Sequence, residues 1–130
     1  SLGLDAARKA AAAAVAEARR HNLFMAFAIV DTGGHLVYFE KMDGAQTGSV
    51  EVSIEKARSA VMFRRSTKFF QDTVAQGGIG WRMLGLTGAV PVDGGLPPVE
   101  GGKIVGAIGS SGSTNDEDGM CALAGAATLK

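Results

Sequence analysis

The sequence predicts a single α+β domain, and three observations carry the prediction. Residues 5–21 and 49–64 have helical apolar spacing, and a third helical pattern closes the chain. Residues 24–41 read as two extended runs joined by Thr32-Gly33-Gly34, which is hairpin chemistry. The clearest late strand is Lys103 to Ser110, so helices and strands are interspersed over the whole length. The chain has 130 residues, 46% of them apolar, enough for one core, with no repeat or linker to divide residues 1–130.

The first helix runs from Asp5 to His21. Ala10 to Ala14 is strong helix former, Asp5 suits the positive helix end, and Arg19, Arg20 and His21 suit the negative one. Leu4, Ala7, Ala11, Val15 and Ala18 give its apolar face. Phe24 to Asp31 is apolar on both faces, so helices must cover at least part of the sheet. The returning strand, His35 to Lys41, puts Leu36, Tyr38 and Glu40 on one face and Val37, Phe39 and Lys41 on the other.

Met42 to Gly48 is a loop. The second helix, Ser49 to Arg64, carries the stripe Val50, Ile54, Ala57 and Val61, and Glu55 can pair with Arg58. Ser66 or Thr67 caps a shorter third helix that stops at Gly77-Gly78. The glycine-rich stretch to Gly102 is too long for a featureless loop. A short strand is expected at Ala89 to Asp93, then a turn at Gly94-Gly95, while Pro97-Pro98 forbids a central strand. The last helix starts near Thr114 or Asn115, the spacing of Thr114 to Glu117 is that of a capping box, and Met120, Leu123, Ala124 and Ala127 form its apolar side.

Charge and composition exclude several function classes. Thirteen basic and thirteen acidic side chains cancel. That argues against nucleic acid and acidic membrane surfaces as partners. No apolar run approaches the roughly 20 residues of a membrane span. Cys121 is alone, so no internal disulfide forms, and the cytosol is the expected compartment. The chain begins at Ser1 and not Met, which leaves room for a leader and secretion. There is neither a Gly-x-Ser-x-Gly nor a Gly-Lys-Ser/Thr signature.

Candidate site residues then come from position and chemistry. Lys41, Met42 and Asp43 follow a strand end, where charged and soft side chains can line a pocket. Gly109-Ser110-Ser111-Gly112-Ser113 lies between strand and helix, where consecutive N–H groups can bind an anion or simply form a capped turn. Asp116, Glu117 and Asp118 compete for that positive end. His21 and His35 are the candidate metal or haem ligands. Each has an ordinary reading too, as a helix-terminal cation and a surface hairpin residue. Cys121 reads as a small packed hydrophobe.

Five motifs in fixed order bring in a family. Val30-Asp31-x-Gly33-Gly34, Lys41-Met42-Asp43-Gly44-Ala45, Glu55-Lys56-Ala57, Gly94-Gly95-x-Pro97 and Val105-Gly106-Ala107-Ile108-Gly109-x-Ser111-Gly112, followed by Asp118, resemble the GlcG/HbpS-like family. They are also similar to the C-terminal domain of PduO-type proteins. The resemblance implies a profilin-like three-layer α/β/α fold around a central five-stranded antiparallel sheet. It implies self-association into dimers or higher homo-oligomers, and a small-molecule ligand. Lys41 stands where the family has arginine, which removes a bidentate partner for a carboxylate. Ser66 stands where it has proline.

Three functions follow from the resemblance. The first is a binding module for haem or a related tetrapyrrole, held without covalent attachment since no Cys-x-x-Cys-His occurs, with His21, His35 or Met42 as axial candidates. The second is a catabolic enzyme for a small organic acid, of muconate or 2-hydroxy type. There Lys56 or Lys41 holds a carboxylate, and Asp43, Asp116 or Asp118 moves a proton. The third is a structural subunit. The candidate site is therefore Asp43, Lys56 and Asp118 as catalytic groups, with Lys41, Met42, Gly94, Gly95, Ser111, Gly112 and Asp116 binding the ligand. Family precedent ranks haem first.

Overall fold

The computed structural model describes residues 1–129. Its elements are α1 (Leu4–Arg20), β1 (Ala26–Val30), β2 (Leu36–Lys41), α2 (Gly48–Phe63), α3 (Thr67–Ala75), a 3-10 segment (Gly78–Gly85), β3 (Gly95–Leu96), β4 (Val99–Glu100), β5 (Lys103–Ile104), β6 (Ala107–Ser111), α4 (Asn115–Ala126) and a closing 3-10 turn (Ala127–Leu129). The fold is mixed α+β with helices on both faces of an antiparallel sheet.

The sheet has four strands in the order β2-β1-β6-β3, and β4 pairs only with β5 as a separate hairpin. The central five-stranded sheet is thereby corrected. Ala89 to Asp93 is not a strand, because side chains of the helices take its N–H groups. Val90 N–H donates to Ser59 Oγ at 3.1 Å, and Asp93 N–H donates to Gln71 Oε1 at 2.8 Å. Pro97 then limits β3 to two residues. The single late strand also divides. Val105 N–H turns to Pro98 O and its carbonyl accepts from Leu2 N–H, so pairing with β1 starts only at Ala107.

Strand β1 is buried throughout, as its apolar composition requires. Phe27 and Ile29 pack with Ala7, Ala11, Val15 and Cys121 under α1 and α4, and Ala28 and Val30 pack with Ala57, Ala60 and Val61 of α2. A bulge interrupts β2. Ile29 pairs with Tyr38 and Val30 with Leu36, so Val37 is unpaired and joins Tyr38 on the α1/α4 core instead of Phe39 on the α2 side.

The helix boundaries hold within one or two residues, but the buried faces differ. On α1 the stripe is buried except for Leu4, at the exposed first turn. On α2 the buried face is Ser49, Ser53, Lys56, Ala57, Ser59, Ala60 and Val61. Small side chains are needed there because the helix lies directly on the sheet backbone. A Cβ at Gly109 of β6 would stand 1.9 Å from Ser53 O. For the same reason α4 buries Asp118, Cys121, Ala122 and Gly125, while Leu123 and Ala127 of the expected stripe face out. Arg58 donates to Gly34 O and forms no ion pair with Glu55 among the described residues. Thr114 caps α4 as expected, accepting from Glu117 N–H at 3.2 Å. Ser66 occupies the α3 N-cap without a side-chain bond, and Thr67 Oγ1 instead accepts from Gly95 N–H at 2.9 Å.

Candidate functional site

Some of the residues named from sequence line or adjoin two clefts. The first lies between the end of α1 and the end of β2, with a volume of about 450 Å³, and is lined by Arg19, Leu23, Phe24, Lys41, Met42 and Asp43 among others. Helix α1 ends at Arg20, so Arg19 projects from its last turn, and the chain enters β1 through an exposed Phe24. Met42 is almost buried, its N–H donating to Met25 O at 2.9 Å. Neither Arg19 nor Lys41 has an ion-pair partner among the described residues. Gly112 stands just beyond, facing Phe24 O and Met25.

The second cleft, of about 330 Å³, lies between α3, β3 and α4 and is lined by Lys68, Asp93, Leu96, Asp116, Met120 and Leu123 among others. Behind it sits a buried ion pair. Lys56 Nζ donates to Asp118 Oδ2 at 2.9 Å and to Ser110 O at 3.0 Å. Lys56 leaves α2 on one face of the sheet and Asp118 leaves α4 on the other, and they meet beside Gly94. Gly94 has φ +127°, and a Cβ there would stand 2.4 Å from Ser110 O and 2.9 Å from Lys56 Nζ, so no other residue fits without displacing the pair. Gly95 is equally crowded by Lys56 O.

Lys56, Asp118, Gly94, Gly95 and Asp116 therefore come together, and Asp43 does not. It belongs to the first cleft with Lys41 and Met42, so the three groups named as catalytic do not form one site. Lys56 and Asp118 are also satisfied where they are. Asp118 Oδ1 accepts from Ser113 N–H at 2.9 Å while Oδ2 holds Lys56. That bond also occupies the Ser113 N–H of the strand-to-helix turn. The carboxylate at Ser113 N–H is the protein's own Asp118, and Ser111 is buried inside β6. Burial pushes the Asp118 carboxyl above the usual range, against the Lys56 ammonium and the Ser113 N–H, which draw it down.

His21 and His35 stand apart from both clefts' lining. His21 Nε2 lies 3.2 Å from Glu17 Oε2, and His35 Nδ1 lies 3.3 Å from Asp31 Oδ1 on the hairpin turn. Among the described residues no group of three or more His, Cys, Asp or Glu is placed to hold a metal ion. Cys121 is buried and its thiol is pushed up to about 11 by desolvation, as a packed hydrophobe should be.

Asp93 is the functional candidate that sequence reasoning passed over. Its carboxyl lines the second cleft and is only 7% exposed. Oδ1 accepts from Gly94 N–H at 2.7 Å. Burial pushes the group above the usual carboxylate range, partly offset by Gly94 N–H and by the Lys68 and Lys56 charges. The Asp-Gly-Gly run looked like turn chemistry. Nothing local in it shows that the turn packs under α4.

A small mixed α+β protein with open, ligand-sized surface clefts is the class these features define. The family model described as "Haem degrading protein HbpS-like" matches residues 2–127, and the chain belongs to that family. It is 36% identical to Protein GlcG of Escherichia coli strain K12 over 100 residues, 77% of this chain and 73% of the relative. The crystal structure of a double mutant of Streptomyces reticuli HbpS superposes with TM-score 0.89 at 33% identity, covering 99% of this chain and 87% of that one. A crystal structure of a PduOC:heme complex superposes with TM-score 0.88 at 25% identity, covering 98% and 94%. No helix among the described residues is long and apolar enough to cross a membrane.

Proposed function

We propose that the chain is a ligand-binding protein that holds haem or a related tetrapyrrole, without covalent attachment, in the cleft between α1 and β2. The observation that carries this reading is the pairing of a nearly buried Met42 with two unpaired cations, Arg19 and Lys41, around an exposed Phe24. The donor set fits the group in kind. Met42 would offer its thioether to haem iron, Phe24 and Leu23 an apolar cover, and Arg19 and Lys41 would receive the carboxylates, with Glu40 and Asp43 lining the same cleft. Bound haem supplies redox and oxygen chemistry at its iron. The chain's part is to orient the macrocycle and neutralise its acid groups. Family membership and the likeness to a haem complex support the same reading.

A second reading keeps the same cleft. Arg19 and Lys41 also suit a small organic acid, and Asp43 beside them would move the proton in a catabolic enzyme. Lys56 and Asp118 are unsuited to that role because each is spent on the other.

Haemin titration of the purified protein separates the readings. The haem reading expects a saturable, shifted Soret band that Met42→Leu moves and Arg19→Ala with Lys41→Ala weakens. His21→Ala and His35→Ala leave it unchanged. No saturable band sinks it. Turnover of a muconate-type or 2-hydroxy acid, lost in Asp43→Asn, then favours the enzyme. Neither signal leaves a structural subunit.

Self-association belongs to the proposal. Ile79, Trp81 and Leu84 are 76%, 63% and 63% exposed on one short 3-10 segment, an apolar concentration that marks contact surfaces. Zero net charge removes repulsion between copies. Sedimentation of the wild type above monomer mass, reduced by Trp81→Glu, is the expected result. The cytosol is the compartment this reading assigns, in keeping with a single buried cysteine.

A further inference from the structure

We propose that Tyr38 is a positioning residue for the cleft between α1 and β2: its hydroxyl holds the Glu40 carboxylate, so that Arg19 and Lys41 stay free to receive the carboxylates of a ligand. The inference rests on the reading of that cleft as a receiver of carboxylates, which the haem and organic-acid readings share.

The charges of the cleft would otherwise work against such a ligand. Two cations, Arg19 and Lys41, and two carboxylates, Glu40 and Asp43, line the same space. A carboxylate that pairs with one of the cations competes with an incoming acid for it. Yet neither Arg19 nor Lys41 has an ion-pair partner among the described residues. Asp43 is exposed, where water and salt screen it. Glu40 is half-buried, and the structure gives it a different partner. The Tyr38 hydroxyl donates to Glu40 Oε1 at 2.9 Å.

Strand geometry builds this bond. Tyr38 and Glu40 are two residues apart on β2, so both side chains leave one face of the strand, and Lys41 leaves the other. The Tyr38 ring packs against the core under α1, which fixes where the hydroxyl stands. A phenol bound to a carboxylate makes a charge-assisted hydrogen bond, stronger than one between neutral groups. The bond marks the phenol in turn. The Glu40 carboxylate and burial push its ionisation above the ordinary 10.0, against the Arg8 charge, which draws it down. Tyr38 is the only tyrosine of the chain, so tyrosinate absorbance reads this group alone.

Three measurements on the full chain test the proposal. Tyr38→Phe keeps the packed ring and removes the hydroxyl. In 15N-labelled protein without ligand, the side-chain signal of Arg19 or Lys41 is expected to move in Tyr38→Phe, as the released Glu40 pairs with it, and to return in Tyr38→Phe combined with Glu40→Gln. Whichever of haemin and muconate the wild type binds should bind about two- to fivefold more weakly to Tyr38→Phe, because a partly exposed ion pair must first be broken. The double variant should restore that binding, which a tyrosine with a merely structural role would not allow. Glu40→Gln should bring the tyrosinate transition down toward its ordinary value. The proposal is overturned if Glu40→Gln leaves that transition in place, if neither cation responds to Tyr38→Phe, or if the double variant binds no better than Tyr38→Phe. A wild type that binds neither haemin nor muconate overturns the reading of the cleft itself, and with it the role that rests on it.

Discussion

Lys56 on α2 and Asp118 on α4 are 62 positions apart in sequence, yet their charged atoms meet at 2.9 Å where the two helix layers reach the end of the sheet. Both side chains are almost fully buried. The pair is a tie between layers, and its energetics have a definite signature. Lys56→Met should cost about 3–5 kcal/mol, because it leaves the Asp118 charge buried alone. Lys56→Met combined with Asp118→Leu should recover most of that loss. Urea denaturation of both variants checks it, and a double variant as unstable as the single would refute the tie.

The same region has a pH signature through Asp93. Burial raises its folded-state pKa above the ordinary 3.8, so the native state binds more protons than the unfolded one between those values. Its stabilising contribution is full below the ordinary value and is lost as pH rises through the raised one. Lys68 and Lys56 oppose the rise and Asp116 adds to it. Asp93→Asn should therefore flatten the fall in melting temperature from about pH 4 to pH 7. An unchanged slope would show that Asp93 titrates as a solvent-exposed acid.

Gly109 sets the distance between α2 and the sheet. A Cβ there would meet Ser53 O at 1.9 Å and Ala57 N at 2.7 Å, both backbone atoms that cannot turn aside. Gly109→Ala should cost about 2–4 kcal/mol through enforced separation of the layers. Gly48→Ala, in open space at the start of α2, is the control and should be neutral or slightly stabilising. Thermal melts of the two variants decide it.

Cys121 is fully buried, with its thiol pushed up to about 11 by burial. The thiolate is the reacting species, so the native protein should resist a thiol reagent such as Ellman's and react in full once unfolded in guanidinium. Rapid reaction of the folded chain would mean that the α4 packing opens on the timescale of the assay.

Much of the architecture was legible because it rests on local rules. The alanine run of α1, the Asp31 to Gly34 turn, the Thr114 cap and the all-apolar β1 each state their own conformation. Two things were not legible in that way. The buried faces of α2 and α4 lack large apolar residues, since Ser53, Ala57, Ala122 and Gly125 are chosen for close approach to a backbone, and hydropathy does not register closeness. The Ala89 to Asp93 segment has strand-like composition, but Ser59 and Gln71 take N–H groups that a strand would have offered to a neighbour.

The site residues divide along the same line. Lys41, Met42 and Asp43 are consecutive, so their shared cleft follows from the strand end that precedes them. Lys56, Asp93 and Asp118 come from three distant segments, and only the packing of α2, β3 and α4 brings them within reach of one another. By itself, the sequence determined the four α-helices, the β1–β2 hairpin, their order and the family, because propensity, capping and turn chemistry act between near neighbours. The tertiary structure alone decided which carboxylate is neutralised by Lys56 and which is left facing a cleft, because pairing and burial depend on distances that chain order does not contain.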